Sequence, residues 1–389
     1  MKNVVDAVLG RHLLLYFDVN KTVIMHDPVQ GKDLRHILND LLTESCYGRI
    51  LKDSTTTAQW QWNGTKPCPH YTPQEGEITY GMFLRHQFPT CADPLEARQN
   101  KNKRKIARQS FTAPGQPGED LASEHCALLD CLRLPADPST SGASTEHDDH
   151  YHFILPAFLR LIQQLHESNV HFNLVFRTYG NDLHRIAEEF NAFCEGRHPH
   201  VALPEEVRLD GTNGGIDRRI LFEAGAGGYR FGTFFRDATT TALIMGTFDQ
   251  PEGVPNPSLH FYEDPKYART HQVRGHRTIY SFLTQEWRQS QATLALRDFY
   301  PHWFAHQEDA SAGKLLLLDP SETSVVPLFF DDNILPHDPH IVDARDVNTG
   351  EAVPFEVTKD RYLLRVEPLQ AVREVDYFLK RLEDAFSTK

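Results

Sequence analysis

The sequence predicts an α/β protein built on a Rossmann-like, mainly parallel sheet, with helices on both faces and two large cap-type insertions. Three observations lead there. Short apolar runs alternate with segments of helical periodicity, as in strand–helix–strand units joined by right-handed crossovers. Three of those runs end in polar groups, namely Asp18, Thr178 and the pair Asp331/Asp332. In open parallel sheets, ligands bind at such carboxyl ends. Between the periodic segments lie two long stretches of different character, 51–150 and 200–285.

The elements follow in order. Leu13–Phe17 (LLLYF) is a continuous apolar run that stops at Asp18, the reading of a strand buried on both faces. Across Lys32–Leu42, the residues Leu34, Ile37, Leu38, Leu41 and Leu42 recur at helical spacing. Together they make a first core segment, 1–50. From 51 to 150 the chain is rich in Thr, Pro, Gly, Gln and charge, with TAPGQPGEDLASE and ADPSTSGASTEHDD as its extremes. That composition predicts an insertion with long, partly flexible loops, helix-like pieces such as Glu124–Leu132, and no strong strand.

Core character returns over 151–199. Leu155–His166 reads as an amphipathic helix with Pro156 in its first turn, and Val170–Phe176 as a strand running into Arg177-Thr178. Asn181–Phe193 reads as a helix capped by Asn181 or Asp182. Within 200–285, read as a second, cap-like insertion, Phe231–Phe235 and Ala242–Phe248 are strand-like. The Gly-rich Ala224–Gly228 before them reads as a turn, because it lacks the Lys-Ser/Thr ending of a P-loop. The last core segment, 286–389, is entered through a helix-like Thr278–Leu296. It continues with strands Leu315–Leu318, Val325–Phe330 and Ile341–Asp343, and a closing helix Gln370–Ala385 with Val375 on its apolar face.

Composition narrows the function classes. The 389 residues are 40% hydrophobic and 24% charged, enough for a large core and more than one structural unit. The longest apolar stretches are far too short to span a bilayer, and Asp6, Arg11 and His12 interrupt the N-terminus, which lacks a small-residue cleavage signal. The expectation is a soluble, cytoplasmic protein with no membrane contact. Forty basic against 53 acidic residues give a net charge of −13, which argues against general affinity for nucleic acid. One exception is KNKRKIAR, with Lys101, Lys103, Arg104, Lys105 and Arg108. It suits a localisation signal or a phosphate-binding patch, but without interleaved aromatic residues it reads best as a solvated loop. Six cysteines in no regular spacing fit free thiols in a reducing compartment.

The strand-end residues suit phosphoryl chemistry. A carboxylate such as Asp18 can act as nucleophile and form an acyl phosphate. Asp18 and Asp331 can supply the carboxylate oxygens that Mg²⁺ takes together with water and phosphate. Thr178 can donate to a phosphate oxygen, and Lys314, just ahead of a strand, can neutralise charge shared by nucleophile and phosphoryl group.

In this arrangement the chain resembles the haloacid-dehalogenase (HAD) superfamily. LLLYFDVNKT (Leu13–Thr22) is similar to its first motif, NLVFRT (Asn173–Thr178) to its second, Lys314 to its third, and PLFFDDN (Pro327–Asn333) to its fourth. The resemblance covers the stretches around 12–45, 150–195 and 311–345. It implies Asp18 as nucleophile and Mg²⁺ ligand, with the backbone carbonyl of Asn20 and the side chain of Asp331 completing the protein part of the metal shell. It further implies that Thr178 and Lys314 hold the phosphate, that Asp332 supports the metal site, and that a small phosphorylated metabolite is the substrate. One position departs from the pattern. The residue two after the nucleophile is normally the Asp that protonates the leaving group, and here it is Asn20, which cannot exchange that proton. The alternative is therefore a catalytically impaired HAD-fold binding or scaffold protein with a protein partner.

Each assignment has a structural counterpart. Asp18 can cap a turn, and Arg177 rather than Thr178 can be the polar group that matters. Lys266, Arg274 and Arg277 compete with Lys314, and Asp331/Asp332 can form a turn with Asn333. The cluster Glu146–His152 has metal-binding residue types, but its context reads as a solvated linker, and Cys68-Pro69-His70 lacks a partner pair for zinc.

Overall fold

The computed structural model describes residues 8, 10–27, 31–51, 58–135, 150–201, 203–212, 214–225, 228–251 and 257–387. The chain divides into two compact units, Met1–Ile24 with Ile154–Val366 and Glu374–Lys389, and Met25–Phe153 with Glu367–Arg373. The fold is α/β with a mainly parallel central sheet. Its strands, numbered along the chain, are β1 His12–Asp18, β2 Tyr47–Leu51, β3 Gln59–Trp62, β4 Glu77–Thr79, β5 Phe172–Thr178, β6 Phe231–Arg236, β7 Thr241–Met245, β8 His271–Arg274, β9 Thr293–Asp298, β10 Lys314–Leu318, β11 Val325–Asp331, β12 Val342–Asp346 and β13 Leu363–Arg365.

In the larger unit, eight strands form one sheet in the order β13-β11-β1-β5-β9-β6-β7-β8. The first six run parallel, β7 runs against them, and β8 pairs antiparallel with β7 and so returns to the common direction. β10 and β12 pair separately, also in parallel. β1 is central, and all seven of its residues are buried. Alternation along it sends neighbours to opposite faces. Phe17 stacks on Phe330 at 4.4 Å and meets Phe158 and Phe378 edge-on, from the helices Pro156–Glu167 and Tyr377–Ser387. Tyr16 stacks on Phe329 on the other face. Asp18 follows Tyr16 by two positions and so shares that second face, in register with Arg177 of β5.

Several segments differ from the sequence expectation. Thr278–Leu296 is not one helix: His276–Ser281 passes through a π-helical turn to Trp287–Ser290, and β9 begins at Thr293. Gln291 takes a left-handed backbone conformation (φ 46°) and ends the helix. The apolar run after it is buried on both faces of the sheet, and periodicity cannot tell such a run from a buried helix. The closing helix is likewise interrupted, into Pro368–Arg373 and Tyr377–Ser387, and Val375 between them is 55% exposed. The stretch 200–285 supplies β6, β7 and β8 to the central sheet. β6 and β7 form a hairpin in which the Asp237 carboxylate accepts from the backbone N–H groups of Thr239 and Thr240.

The smaller unit carries the antiparallel sheet β3-β2-β4, where no strong strand was expected. These strands are only three to five residues long, too short for alternation to stand out. Trp60 anchors them, packing on Tyr80 and Phe111 at 5.2 and 5.9 Å. Gly48 makes room for it: a Cβ there would come within 2.5 Å of the indole. KNKRKIAR is helical rather than a loop, within Pro94–Gln109, whose N-cap Asp93 accepts from the Leu95 N–H. Lys, Arg and Gln favour helix, but with only Asn100 buried the segment has no apolar stripe to announce it. Among the described residues no helix is long and apolar enough to cross a membrane.

Candidate functional site

Parallel strands β11, β1 and β5 lie side by side and end together, which brings Asp331, Asp18 and Thr178 to one edge of the sheet. Lys314 opens β10, and its buried ammonium links the first two, donating to Asp18 Oδ1 and to Asp331 Oδ2, the latter at 2.8 Å. Asp331 Oδ1 accepts from the backbone and side-chain N–H groups of Asn333 at 2.9 and 3.2 Å, and the same amide donates to Asp332 Oδ1 at 2.9 Å. Asp332 is positioned by its own N–H, which donates to Thr22 Oγ1. One carboxylate oxygen each from Asp18, Asp331 and Asp332 lies within 4.8 Å of the others. Asp18 Oδ2 is buried and has no hydrogen-bond partner among the described residues.

Electrostatics follow from that burial. Removal from water raises the Asp18 carboxyl well above its usual range. Lys314 opposes the rise, while Asp331 and Asp332 reinforce it. Asp332 is pushed up to about 7 by burial and by Asp331, against the pull of Lys21. Burial alone would lower Lys314, but Asp18 and Asp331 outweigh it and hold the ammonium charged. Three carboxyls thus outnumber the two cations beside them, Lys314 and Lys21, an imbalance that a bound metal ion would relieve.

Beside this cluster is a second group of polar side chains. The chain reverses directly after Asn20, with Lys21 in a left-handed conformation and the N–H groups of Val23 and Ile24 returning to the Val19 carbonyl at 2.8 and 3.0 Å. Thr178 Oγ1 donates to Asn20 Oδ1 at 3.4 Å and accepts from the Gly180 N–H at 2.9 Å. Asn20 Nδ2 donates to Asp182 Oδ2 at 3.1 Å. A Cβ on Gly180 would sit 3.0 Å from that Asp182 oxygen and 3.3 Å from both Asn20 Oδ1 and Thr178 Oγ1, so glycine keeps this corner open. Asp182 stands at the N-cap position of the helix Leu183–Cys194, but its side chain makes no capping bond.

All six sequence-predicted residues, Asp18, Asn20, Thr178, Lys314, Asp331 and Asp332, therefore converge. Their competitors lie elsewhere. Arg177 is buried in a two-pronged pair with Asp298, its guanidinium 4.3 Å from the Phe234 ring centre and donating to the Leu315 carbonyl. Lys266 faces Asp249, Arg274 holds Gln272 and Arg277 holds Asn348. Sequence reading missed the parts played by Lys21 and Asp182, whereas the turn it offered for Asp331/Asp332 with Asn333 is present. Asn333 was legible as the residue after paired acids, but the Asn20–Asp182 contact joins positions 162 apart and left no local signal.

Among the described residues Asp18, Asp331 and Asp332 form the sole group of three or more side chains spaced to hold a metal ion. Glu146–Asp149 of the proposed His/Asp cluster lie outside the described residues, and all six cysteines are free thiols. Compared with known proteins, the chain matches no family model, no curated protein and no solved structure.

Proposed function

We propose that the chain is a Mg²⁺-dependent phosphohydrolase of the haloacid-dehalogenase type. In this reading it is a cytoplasmic enzyme with a Rossmann-like core and a cap-type insertion within 51–150, acting on a small phosphorylated metabolite. The observation that carries the proposal is the Asp18–Lys314–Asp331 cluster with Asp332 beside it. The donor set fits Mg²⁺, since it is all carboxylate oxygen. The three oxygens lie within 4.8 Å of one another, so a small inward shift of the side chains would let them share one ion at bond lengths of about 2.1 Å. The unpartnered Asp18 Oδ2 adds to that fit. Asp18, Asp331 and the Asn20 backbone carbonyl would hold the ion, with Asp332 in support. The ion would supply positive charge where phosphate and carboxylate otherwise repel.

The residues then divide the work. A carboxylate oxygen of Asp18 attacks phosphorus, so that an O–P bond forms as the bond to the leaving alcohol breaks. Water cleaves the resulting aspartyl phosphate, releasing phosphate and restoring the carboxylate. Lys314 holds the nucleophile and offsets charge on the phosphoryl oxygens, and the Thr178 hydroxyl donates to one of them. The leaving oxygen needs a proton that Asn20 cannot give, and loss of a positioned acid costs typically about 10²–10⁴-fold. The leaving oxygen therefore takes its proton from water, while Asp182 accepts the Asn20 amide and holds it in place.

Calorimetric titration with beryllium fluoride, a mimic of the aspartyl phosphate, tests the reading without knowledge of the substrate. Binding that requires Mg²⁺ and vanishes in Asp18→Ala is the expected result, and no binding to folded wild type would overturn it. Asn20→Asp is expected to raise turnover of a phosphate-ester panel by about 10²-fold or more. Asn20 itself favours one second reading, an impaired binding protein of the same fold, which predicts no Mg²⁺-linked stabilisation and a co-purifying protein partner.

A further inference from the structure

A different surface, sharing no residue with the carboxylate cluster, has its own chemistry. Within the unit Met25–Phe153, the helix Pro94–Gln109 forms one wall of a groove of about 920 Å³. Arg98, Lys101, Arg104, Lys105 and Arg108 line it from that helix, and Lys32 and Arg85 enter from two other segments. No carboxylate and no aromatic ring lines it among the described residues.

Among the described residues part of this charge is neutralised, Asp40 pairing with Lys32 and Glu44 with Arg85 and Arg108, and Lys105 is engaged in a contact of its own. Arg104 donates to the Phe88 carbonyl, which fixes its guanidinium without cancelling its charge. Arg98 and Lys101 have no ion pair among the described residues. Like charges three and four residues apart on a helix repel, as 98/101, 101/105 and 104/108 do here. Within a concave site the repulsion is stronger than on an open face, because less water screens it. Such a surplus, in a chain of net charge −13, is a charge pattern that a dense anion would relieve.

We propose that this groove is a binding site for a compact polyphosphorylated anion. Arginine forks and lysine ammonium groups both suit phosphate oxygens, and Thr90, Gln99 and Asn102 on the lining add neutral donors. A volume of about 920 Å³ fits a small molecule. Single-stranded nucleic acid is the weaker fit: its bases would find no aromatic platform here, and a long polyanion would meet the acidic remainder of the chain. The site does not depend on the phosphohydrolase reading.

Calorimetry on the full chain in EDTA, which silences any Mg²⁺-dependent phosphate site, tests the proposal with three probes. These are inorganic tripolyphosphate, inositol hexakisphosphate and a short single-stranded oligonucleotide. One of the first two is expected to bind with one-to-one stoichiometry, weakening as salt is raised, and the tighter one tells an inorganic from an organic source. Each charge-assisted contact is worth about tenfold in affinity, so Arg98→Gln/Lys101→Gln/Lys105→Gln is expected to weaken binding at least about a hundredfold. Asp18→Ala is expected to leave it unchanged. Should the triple variant fail to fold, the single exposed change Lys101→Glu is expected to weaken binding at least about tenfold. The proposal is overturned if neither polyphosphate binds at low salt, if both groove variants bind like wild type, or if the oligonucleotide binds most tightly.

Discussion

The two ends of strands β1 and β5 are buried alike and use their polar groups in opposite ways. At the amino ends, the Asn173 amide donates to the Trp287 and Ala292 carbonyls, both at 3.1 Å, and accepts from His12 Nε2 at 2.6 Å. Arg218 donates to the carbonyls of Phe172 and Gln291. These contacts tie down irregular chain where the helix Trp287–Ser290 turns into β9, and they involve one formal charge. At the carboxyl ends, Asp18 and Asp331 share Lys314 with Asp332 close by, and one buried oxygen of Asp18 stays without a hydrogen-bond partner among the described residues. The amino ends also leave buried polar atoms without a partner among the described residues, Arg218 Nε and Trp287 Nε1, so what separates a site from a brace is the crowding of like charges. The carboxyl ends also contain a brace, Arg177–Asp298, directly across from Asp18 in register. Position at the strand ends is therefore not the criterion; what matters is whether the local charges close on themselves.

That distinction can be broken by mutation. The largest effect is expected at Arg177→Ala, which leaves Asp298 buried without its partner and frees the Leu315 carbonyl. The loss is expected to be roughly 3–5 kcal/mol by chemical denaturation, and a loss below about 1 kcal/mol would mean the pair braces nothing. Next comes Asn173→Leu at the amino ends. It strips partners from His12 and from two carbonyls and is expected to cost roughly 2–3 kcal/mol.

The amino ends also predict a pH dependence. Burial, helped by Arg288 and Arg218 and opposed by the hydrogen bond to Asn173, lowers His12 from 6.5 to about 4. Asn173 donates through its nitrogen, so its oxygen faces the ring, and neutral His12 satisfies it with Nε2–H. The folded protein then binds fewer protons than the unfolded chain between those values. Stability is full above 6.5 and falls as the pH drops toward 4. Between neutral pH and pH 5.5 the His12 share of that fall is about 1 kcal/mol. His12→Gln is expected to remove this share, seen as a shallower decline of melting temperature relative to wild type.

How much of this was readable in the sequence follows the same division. β1, β5 and β11 stood out because strands in the middle of a parallel sheet are continuous apolar runs, β10 because it too is buried along its length, and Asp18, Thr178 and Asp331 because they end such runs. Lys314 was visible only as a candidate among several cations, since nothing local distinguishes a buried lysine from a solvated one. The strands β3 and β4 and the helix Pro94–Gln109 were not legible: the first are too short, and the second is polar all round. β9 was mistaken for helix because a fully buried strand and a buried helix share composition. The Asn20–Asp182 and Arg177–Asp298 contacts join residues more than a hundred positions apart, and only the fold reveals them.

The smallest change in stability is expected at Asp18→Asn, and it is the sharpest test of the comparison. Removing one member of a buried ion pair is normally costly, because it strands the other charge. Here it does not, since Lys314 keeps Asp331 at 2.8 Å, and three acids beside Lys314 and Lys21 become two. The metal-free protein is therefore expected to stay within about 1 kcal/mol of wild type, or to gain stability. Mg²⁺ should separate the two proteins instead. Wild type is expected to be stabilised by about 2.7 kcal/mol at a hundredfold excess of Mg²⁺ over its Kd, and the variant hardly at all. If Asp18→Asn costs as much as Arg177→Ala in the absence of metal, Asp18 is one more brace at the strand ends, and the proposed site loses its nucleophile.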